Sequence, residues 1–175
     1  GQHYVVKRYN IKNAWHALRR CLRPSRAWNS WRNAHRLAIL GIPTPKPIAL
    51  LEKRWGFFRS KAYFITEYVD GINVYHLFHS DKAKEVDRGD LVEQFGKLFQ
   101  QLAAASTSHG DLKATNFIVT DNRLFITDLD AMREHQFRCR FRKVFGRDLK
   151  RFMQNWADLS EVDNIFREQI KNIKL

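Results

Sequence analysis

Asp111, Asn116 and Asp128 are the side chains whose types and spacing best suit chemistry. Asn116 lies five residues after Asp111, and Asp128 lies twelve residues after Asn116. Asn and Asp offer hard oxygen ligands, and Mg²⁺ is normally held by one or two such protein oxygens together with phosphates and water. A further carboxylate beside such a pair can orient an attacking hydroxyl or accept its proton. The pattern is therefore typical of a site at which a phosphoryl group is transferred.

The chain between Asn116 and Asp128 must fold into a hairpin to bring these two residues together. Residues 117–120 and 124–127 predict two short strands on either side of Asp121-Asn122. Asp and Asn tolerate the positive backbone angles of a two-residue turn, so we predict a tight hairpin. In that register Asn116, just before the first strand, lies beside Asp128, just after the second. The remaining carboxylate of the set falls in the polar loop that precedes the hairpin.

The first part of the chain predicts strands around one helix. Three segments are rich in the β-branched and aromatic residues of strands: 3–9, 47–52 and 62–69. The first contains Lys7, and Gly56 falls in the turn between the other two. Ser25 is predicted as the N-cap of a helix that Gly41 and Pro43 end, with Trp28, Trp31, Ala34 and Ala38 on one face.

The second part predicts a helical region that carries the hairpin. From about Asp87, apolar residues recur at spacings of one, three and four, which predicts a core helix. That helix leads into a polar loop at residues 106–111. From about Ala131 the chain is predicted to be mainly helical, and it ends in a mixed-charge helix near residues 161–170.

The composition indicates one folded unit with a strong positive charge. The 175 residues include 31 Lys and Arg against 18 Asp and Glu, a net charge of +13. Ten of the basic residues and no acidic residue lie within residues 1–51. No apolar run approaches the ~20 residues of a membrane span, and no signal peptide is visible. The charge favours an anionic partner such as phosphate, acidic lipid or nucleic acid, among which composition does not choose.

Two further function classes lack support in the sequence. Cys21 and Cys139 are far apart and have no C-x-x-C partner, so neither a zinc site nor a redox motif is predicted. We also find no specific nucleic-acid motif, whether zinc spacing, aromatic RNA-binding signature or helix-turn-helix pattern. A reducing cytosol suits this cysteine usage.

The order of these features resembles the protein-kinase-like superfamily. A strand lysine, in Val5-Val6-Lys7, is followed by a helix. The run His109-Gly110-Asp111-Leu112-Lys113-Ala114-Thr115-Asn116 then precedes Asp128-Leu129-Asp130. Gly110 stands where the superfamily usually has arginine, and Leu129-Asp130 stands in place of Phe-Gly. These two differences make the chain less similar to regulated protein kinases. Without that arginine, switching by phosphorylation of an activation loop is not expected.

The resemblance implies roles for five residues. Lys7 corresponds to the lysine that grips the phosphates of the nucleotide, and Asp111 corresponds to the catalytic aspartate. Asn116 and Asp128 correspond to the metal ligands, and Lys113 to the lysine that steadies the transferred phosphoryl group.

Within the superfamily the chain is similar to the bacterial lipopolysaccharide core kinases. The similarity covers nearly the whole chain and adds four segments to the run from His109 to Asp130: Trp31-Arg32-Asn33, Leu40-Gly41-Ile42-Pro43-Thr44-Pro45, Thr66-Glu67-Tyr68-Val69-Asp70-Gly71 and Arg147-Asp148-Leu149-Lys150-Arg151-Phe152. It implies transfer of phosphate from ATP, with Mg²⁺, to a heptose or Kdo sugar of the inner core. It also implies a cytoplasmic enzyme that is peripheral at the inner membrane, with an anionic membrane surface as a partner.

The same resemblance implies an α+β, bilobal protein-kinase-like fold. Residues 1–69 would form a partial N-lobe and residues 70–175 a mainly helical C-lobe with the catalytic loop and the metal-binding hairpin. Glu67 to Val69 fall where the hinge of the superfamily binds adenine through backbone groups.

Two parts that the superfamily leads one to expect are missing. Only six residues precede Lys7, so we expect a truncated N-lobe without the Gly-rich loop and the first strands, in a fragment or a degenerate form. The usual glutamate partner of the lysine is also missing, because no acidic residue precedes Glu52. Asn29 or Asn33 is a candidate neutral partner.

The sequence allows more than one interpretation for several residues. Lys113 contacts phosphate or is an exposed loop charge. His109 is expected to hold the loop through hydrogen bonds rather than act as a base. Asp130 either holds other residues of the site in place, contacts the substrate, or caps a helix. Trp28 and Trp31 are predicted to lie in the core rather than to form a ligand platform.

Three alternatives to the sugar kinase remain open. One is an atypical protein kinase and another is a small-molecule phosphotransferase, such as one that modifies an antibiotic. From another class comes a pseudokinase or a module that binds anionic surfaces. The basic run of residues 138–147, interleaved with aromatic residues, is either a solvated face over a buried one or a contact for phosphorylated sugars and lipid headgroups.

Overall fold

The computed structural model describes residues 1–10, 24–55, 58–80, 88–120 and 123–173. The sites of three predictions lie outside these residues: Cys21 and the turns at Gly56 and Asp121-Asn122. Among the described residues, no helix combines the length and the apolar character needed to cross a bilayer.

An antiparallel sheet of three strands forms the first lobe. Its strands are β1 (Tyr4–Tyr9), β2 (Pro47–Trp55) and β3 (Phe58–Glu67), in the order β1-β3-β2. Lys7 lies opposite Phe64 in the central strand. The three predicted strands are confirmed, although β2 is longer than predicted and β3 starts earlier and ends at Glu67 rather than at residue 69.

Helix α1 (Arg26–Ile39) packs against this sheet. The predicted N-cap is confirmed, because Ser25 Oγ accepts a hydrogen bond of 3.0 Å from the backbone N–H of Trp28. The predicted buried face is half right: Ala34 is buried and Trp31 packs against the core, whereas Trp28 is 43% exposed and Ala38 is exposed. The buried residues of α1 are small or of moderate size: Ala27, Ser30, Asn33, Ala34 and Leu37. Trp31 lies at the edge of this face, where its ring contacts Phe64 of β3 with the ring centroids 6.4 Å apart.

The second lobe is mainly helical, with short strands. Its elements in chain order are β4 (Ile72–Asn73), α2 (Val74–Phe78), α3 (Arg88–Ala104), β5 (Thr107–Ser108), β6 (Phe117–Thr120), β7 (Arg123–Ile126), β8 (Arg133–Glu134), α4 (Arg138–Met153) and α5 (Ser160–Lys171). Strands β4, β6 and β7 form one small sheet, and β5 pairs with β8. The sequence predicted α3, the hairpin β6-β7 and the helical end of the chain that contains α4 and α5. It predicted neither the five-residue helix α2 nor the short strands β4, β5 and β8, and β5 lies within the predicted polar loop.

An aromatic core holds the hairpin to the helices. Phe95 and Phe99 of α3, Phe152 of α4 and Phe166 of α5 are fully buried, and their ring centroids lie 5.0–5.7 Å apart in the contacting pairs. Phe117, the first residue of β6, packs on this cluster with its ring centroid 4.8 Å from that of Phe95. Burial of each such ring stabilises the fold by roughly 1.5–3 kcal/mol. The residue before Phe117, which is Asn116, is therefore attached to a rigid core.

The register of the hairpin is the predicted one. Phe117 pairs with Ile126, and the backbone N–H of Thr127 donates a hydrogen bond of 2.9 Å to the carbonyl of Asn116. The segment between α1 and β2 also joins this hairpin, because Ile126 N donates to the carbonyl of Pro43 over 3.0 Å and Thr44 Oγ1 donates to the carbonyl of Ile126 over 2.8 Å. The hairpin is thus hydrogen-bonded to the connection that leads into the first sheet.

Candidate active site

A cleft of about 360 Å³ lies between the first sheet and the hairpin. Five residues selected from the sequence line it: Lys7, Glu67, Val69, Asn116 and Asp128. The other two, Asp111 and Lys113, do not line this cleft and pair with each other nearby. The remaining walls of the cleft are largely apolar, with Val5, Phe64, Ile118 and Leu129 among them. A flat, apolar ligand with a charged end would fit a cleft of this character.

Lys7 and Asp128 form an ion pair at one end of the cleft. Asp128 has a left-handed backbone conformation, with φ of 60° and ψ of 54°, which Asp tolerates better than most residues. Burial lowers the pKa of Lys7, but the hydrogen bond and the charge of Asp128 outweigh it, so the pKa of Lys7 is raised. The lysine is therefore a permanent cation at physiological pH.

Asn116 is oriented by the loop that carries Asp111. Its Nδ2 atom donates a hydrogen bond of 2.8 Å to the backbone carbonyl of Asp111. Its own backbone carbonyl accepts bonds from the backbone N–H and the hydroxyl of Thr127, at 2.9 and 3.0 Å. Because the amide nitrogen is engaged, the Oδ1 atom of Asn116 is the one that remains for a ligand.

The oxygen atoms of Asn116 and Asp128 fit Mg²⁺ in their chemistry. Both are hard donors and both side chains line the same cleft. Among the described residues there is no group of three or more His, Cys, Asp or Glu side chains that could hold a metal by themselves. The donor set is thus one that would share a cation with the phosphates of a ligand rather than enclose it.

Asp111 is flanked by two cations. Its Oδ2 atom lies 3.2 Å from Lys113 Nζ, and its Oδ1 atom lies 3.0 Å from Arg151 Nε. Oδ1 is buried and accepts no aligned hydrogen bond from the described residues, so its contact with Arg151 is an ion pair alone. No role was predicted for Arg151 from the sequence, because a contact between α4 and a loop some forty residues earlier leaves no local pattern.

The loop before Asp111 is fixed by a buried carboxylate of α4. Asp148 Oδ2 accepts hydrogen bonds from the backbone N–H groups of His109 and Gly110, at 2.8 and 2.9 Å. Burial raises the pKa of Asp148, and these two hydrogen bonds partly oppose the rise. His109 Nε2 donates to the carbonyl of Thr127 over 2.9 Å. The prediction that His109 holds the loop through hydrogen bonds is confirmed.

Gly110 fills a position at which only glycine fits. Its φ is +83°, and a Cβ atom there would lie 2.8 Å from the backbone oxygen of Ala131. Both the backbone angle and the close approach exclude a side chain. The absence of an arginine at this position thus has a steric reason.

Helix α1 is attached to the segment after Asp128 by two polar contacts. Asn33 Nδ2 donates to the backbone carbonyls of Leu129 and Met132, at 2.8 and 3.0 Å. Arg26 forms an ion pair with Asp130, whose side chain is only 5% exposed. The hypothesis that Asn33 or Asn29 is the partner of Lys7 is wrong, since the partner of Lys7 is Asp128. Asp130 pairs with Arg26, and its side chain does not cap a helix.

The basic run on α4 lies on a solvated face over a buried one, as the first of its two interpretations predicts. Phe141 and Phe145 are buried, whereas Arg138 and Lys143 are exposed, so one helical face is solvated over a packed one. Phe137, directly before the helix, is 67% exposed. Cys139 is a free, exposed cysteine.

Known proteins give matches at the levels of family and fold. A family model described as "Lipopolysaccharide kinase (Kdo/WaaP) family" matches residues 1–171. A solved structure, "WaaP in complex with acyl carrier protein", is similar with a TM-score of 0.57 and 18% sequence identity, covering 98% of this chain and 80% of that chain. No curated protein matches the chain. At 18% identity the likeness concerns the fold, and it confirms the mixed helix-and-sheet, kinase-like architecture.

Proposed function

The chain belongs to the lipopolysaccharide kinase (Kdo/WaaP) family, and on this premise we propose that it transfers the γ-phosphoryl group of ATP to a hydroxyl of a heptose or Kdo sugar of the inner core. Members of the family are kinases, so the general reaction follows from membership. The identity of the sugar, the use of Mg²⁺ and the roles of individual residues are the finer parts of the proposal.

The hydrogen bond from Asn116 to the carbonyl of Asp111 is the observation that carries the proposal. It joins a metal-binding type of side chain to the loop that carries Asp111, a half-buried carboxylate. A kinase needs such a connection, because the acceptor hydroxyl must approach within about 3–3.5 Å of the transferred phosphorus in a fixed direction. We assign the orientation of that hydroxyl to Asp111.

The cleft that contains Lys7 is the proposed nucleotide site. Lys7 would bind the phosphates, and the backbone of residues 67–69 would bind the adenine. In this proposal the nucleotide lies between a lobe of residues 1–69 and a lobe of residues 70–175. Asn116 and Asp128 would hold Mg²⁺, which neutralises phosphate charge when bound. Lys113 would stay close to the transferred group, because its ammonium already lies 3.2 Å from Asp111.

A negatively charged membrane is the proposed location of the substrate. Phe137 and the exposed cations of α4 would face anionic lipid headgroups, each cation contributing about 1 kcal/mol near the surface. The enzyme would then be cytoplasmic and peripheral at the inner membrane, where lipopolysaccharide is assembled.

Mass spectrometry of core oligosaccharide tests the substrate assignment. We expect core from cells that lack the gene to lose one phosphate, and we expect the purified protein with Mg-ATP to restore it on that core. An unchanged mass would overturn the sugar assignment. Transfer to a protein instead of the core would favour an atypical protein kinase, and the absence of nucleotide binding would favour a pseudokinase.

A further inference from the structure

A second cavity, of about 450 Å³, lies beside Asp111 and is separate from the cleft that contains Lys7. The two cavities share no lining residue. The second cavity is lined by cationic and amide side chains: Lys113, Arg147, Lys150, Arg151, Gln154 and Asn155. No carboxylate is among them. We call this cavity the basic pocket.

The positive charge of the basic pocket is only partly neutralised. Lys113 and Arg151 share the single charge of Asp111. Arg147 and Lys150 form no ion pair with any residue that the structure describes. Asp148 is the one acid of α4, but it is buried and bonded to the loop backbone, so it does not pair with the surface cations.

The arrangement of these cations along α4 is unfavourable for the helix itself. Lys150 and Arg151 follow Arg147 by three and four residues and therefore lie on the same face of the helix as Arg147. Like charges at these spacings destabilise a helix. A bound anion removes the repulsion, and guanidinium and ammonium groups together are the usual ligands of phosphate and carboxylate groups.

We propose that the basic pocket is a subsite for an anionic group of the acceptor sugar, a phosphate or a carboxylate, with Arg147 and Lys150 as its specificity-determining residues. The proposal rests on the proposed function, since it concerns the acceptor of that reaction. Arg151 lines this pocket and its Nε atom lies 3.0 Å from Asp111 Oδ1, so the pocket adjoins the carboxylate that orients the hydroxyl. The preferred acceptor would therefore carry its charge on the same sugar as that hydroxyl or on a neighbouring sugar.

Steady-state kinetics with deacylated core oligosaccharide test this subsite. The variant Arg147→Ala/Lys150→Ala removes the two cations without an ion-pair partner, and Arg167→Ala/Lys171→Ala removes one Arg and one Lys from exposed positions on α5 as a matched control. We expect the first variant to raise KM for the core by about tenfold or more, while kcat and KM for ATP stay within about twofold. The control is expected to behave as the wild type. A KM for the core within about twofold of the wild type in the first variant would overturn the subsite.

Chemically modified cores identify which anion is bound. One sample is dephosphorylated with hydrogen fluoride, and another has its carboxyl groups reduced. The difference in KM between the wild type and the first variant should disappear for the sample that lacks the anionic group bound by the pocket. If the difference in KM persists with both samples, the pocket does not bind an anionic group of the acceptor and the proposal fails.

Binding measured without nucleotide separates this proposal from the proposed function. Isothermal titration of the deacylated core should show weaker binding by the first variant than by the control. That result supports the subsite even if no phosphate is transferred. Transfer with unchanged core affinity and KM overturns the subsite and leaves the kinase assignment intact, whereas neither binding nor transfer overturns both.

Discussion

Lys7 on β1 forms an ion pair with Asp128, which follows β7 and lies 121 positions later in the chain. The pair joins the first sheet to the hairpin across the cleft. Helix α1 contains no carboxylate that could compete for the lysine. The positive charge of Lys7 is thus directed at the side chain proposed to hold the metal, where the phosphates of a nucleotide would also lie.

Replacing Lys7 with methionine is expected to weaken nucleotide binding rather than the fold. The side chains of Lys7 and Asp128 are 41% and 31% exposed, so the loss of their ion pair should change the free energy of unfolding by only about 0–1 kcal/mol. The dissociation constant of Mg-ATP, measured by isothermal titration, should rise by about tenfold or more because a phosphate contact is lost. Lys97→Met, which removes an exposed lysine paired with Glu93, is the control. Equal nucleotide affinity in both variants would contradict the role of Lys7.

Asn33 is expected to be a stability determinant of the active site. Asn33→Ala leaves the carbonyls of Leu129 and Met132 without their donor in a buried position, which should cost about 1–3 kcal/mol of unfolding free energy. Asn29→Ala on the same helix removes a half-buried amide that makes no side-chain hydrogen bond with the described residues, and it should cost less than about 0.5 kcal/mol. Urea unfolding of both variants provides the comparison. Similar losses would indicate that α1 is not held through Asn33.

Two glycines should respond in opposite directions to alanine. Gly110→Ala meets the oxygen of Ala131 and a φ of +83°, and it should destabilise the protein by about 2 kcal/mol or more. Gly146 lies inside α4 at a position where an added Cβ atom would meet open space, so Gly146→Ala should stabilise the protein by about 0.5–1 kcal/mol. Thermal unfolding measures both. A neutral Gly110→Ala would show that the loop before Asp111 can relax.

The stability contributed by Asp148 should depend on pH. Because burial raises its pKa in the folded state, its contribution is fully present below the ordinary pKa of a carboxyl group and is lost as pH rises through the folded pKa. Asp148→Asn keeps an oxygen for the N–H groups of His109 and Gly110 and has no charge, so this part of the pH dependence should vanish. Asp148→Ala loses both bonds and should be less stable than Asp148→Asn by about 1–3 kcal/mol. Urea unfolding from acid to neutral pH tests both expectations, and an unchanged pH profile in Asp148→Asn would contradict them.

Local chemistry made the hairpin and its neighbourhood predictable from the sequence. The register of β6 and β7 follows from the two strand patterns and the two residues between them, so the juxtaposition of Asn116 and Asp128 was accessible. The strand that carries Lys7 and the N-cap at Ser25 were accessible for the same reason, because each is set by neighbouring residues.

Contacts between elements that are distant in the chain could not be predicted from the sequence. The sequence pattern of α1 placed Trp28 and Ala38 in the core, but both are exposed, because the packing of the helix against the sheet is visible only in three dimensions. The pairing of Lys7 with Asp128 and of Arg151 with Asp111 likewise depends on how the lobes and α4 are placed. The role of Asp148 in fixing the loop could not be predicted either, since its partners are backbone groups.

The most direct test of the central claim is phosphate transfer by Asp111→Asn. We expect this variant to bind Mg-ATP as the wild type does but to transfer phosphate to purified inner-core oligosaccharide at least about 10²-fold more slowly, because the amide cannot accept the proton of the sugar hydroxyl. Asp158→Asn, an exposed aspartate that faces His79, is the control and should retain full activity. Transfer by Asp111→Asn at the rate of the wild type would contradict the account.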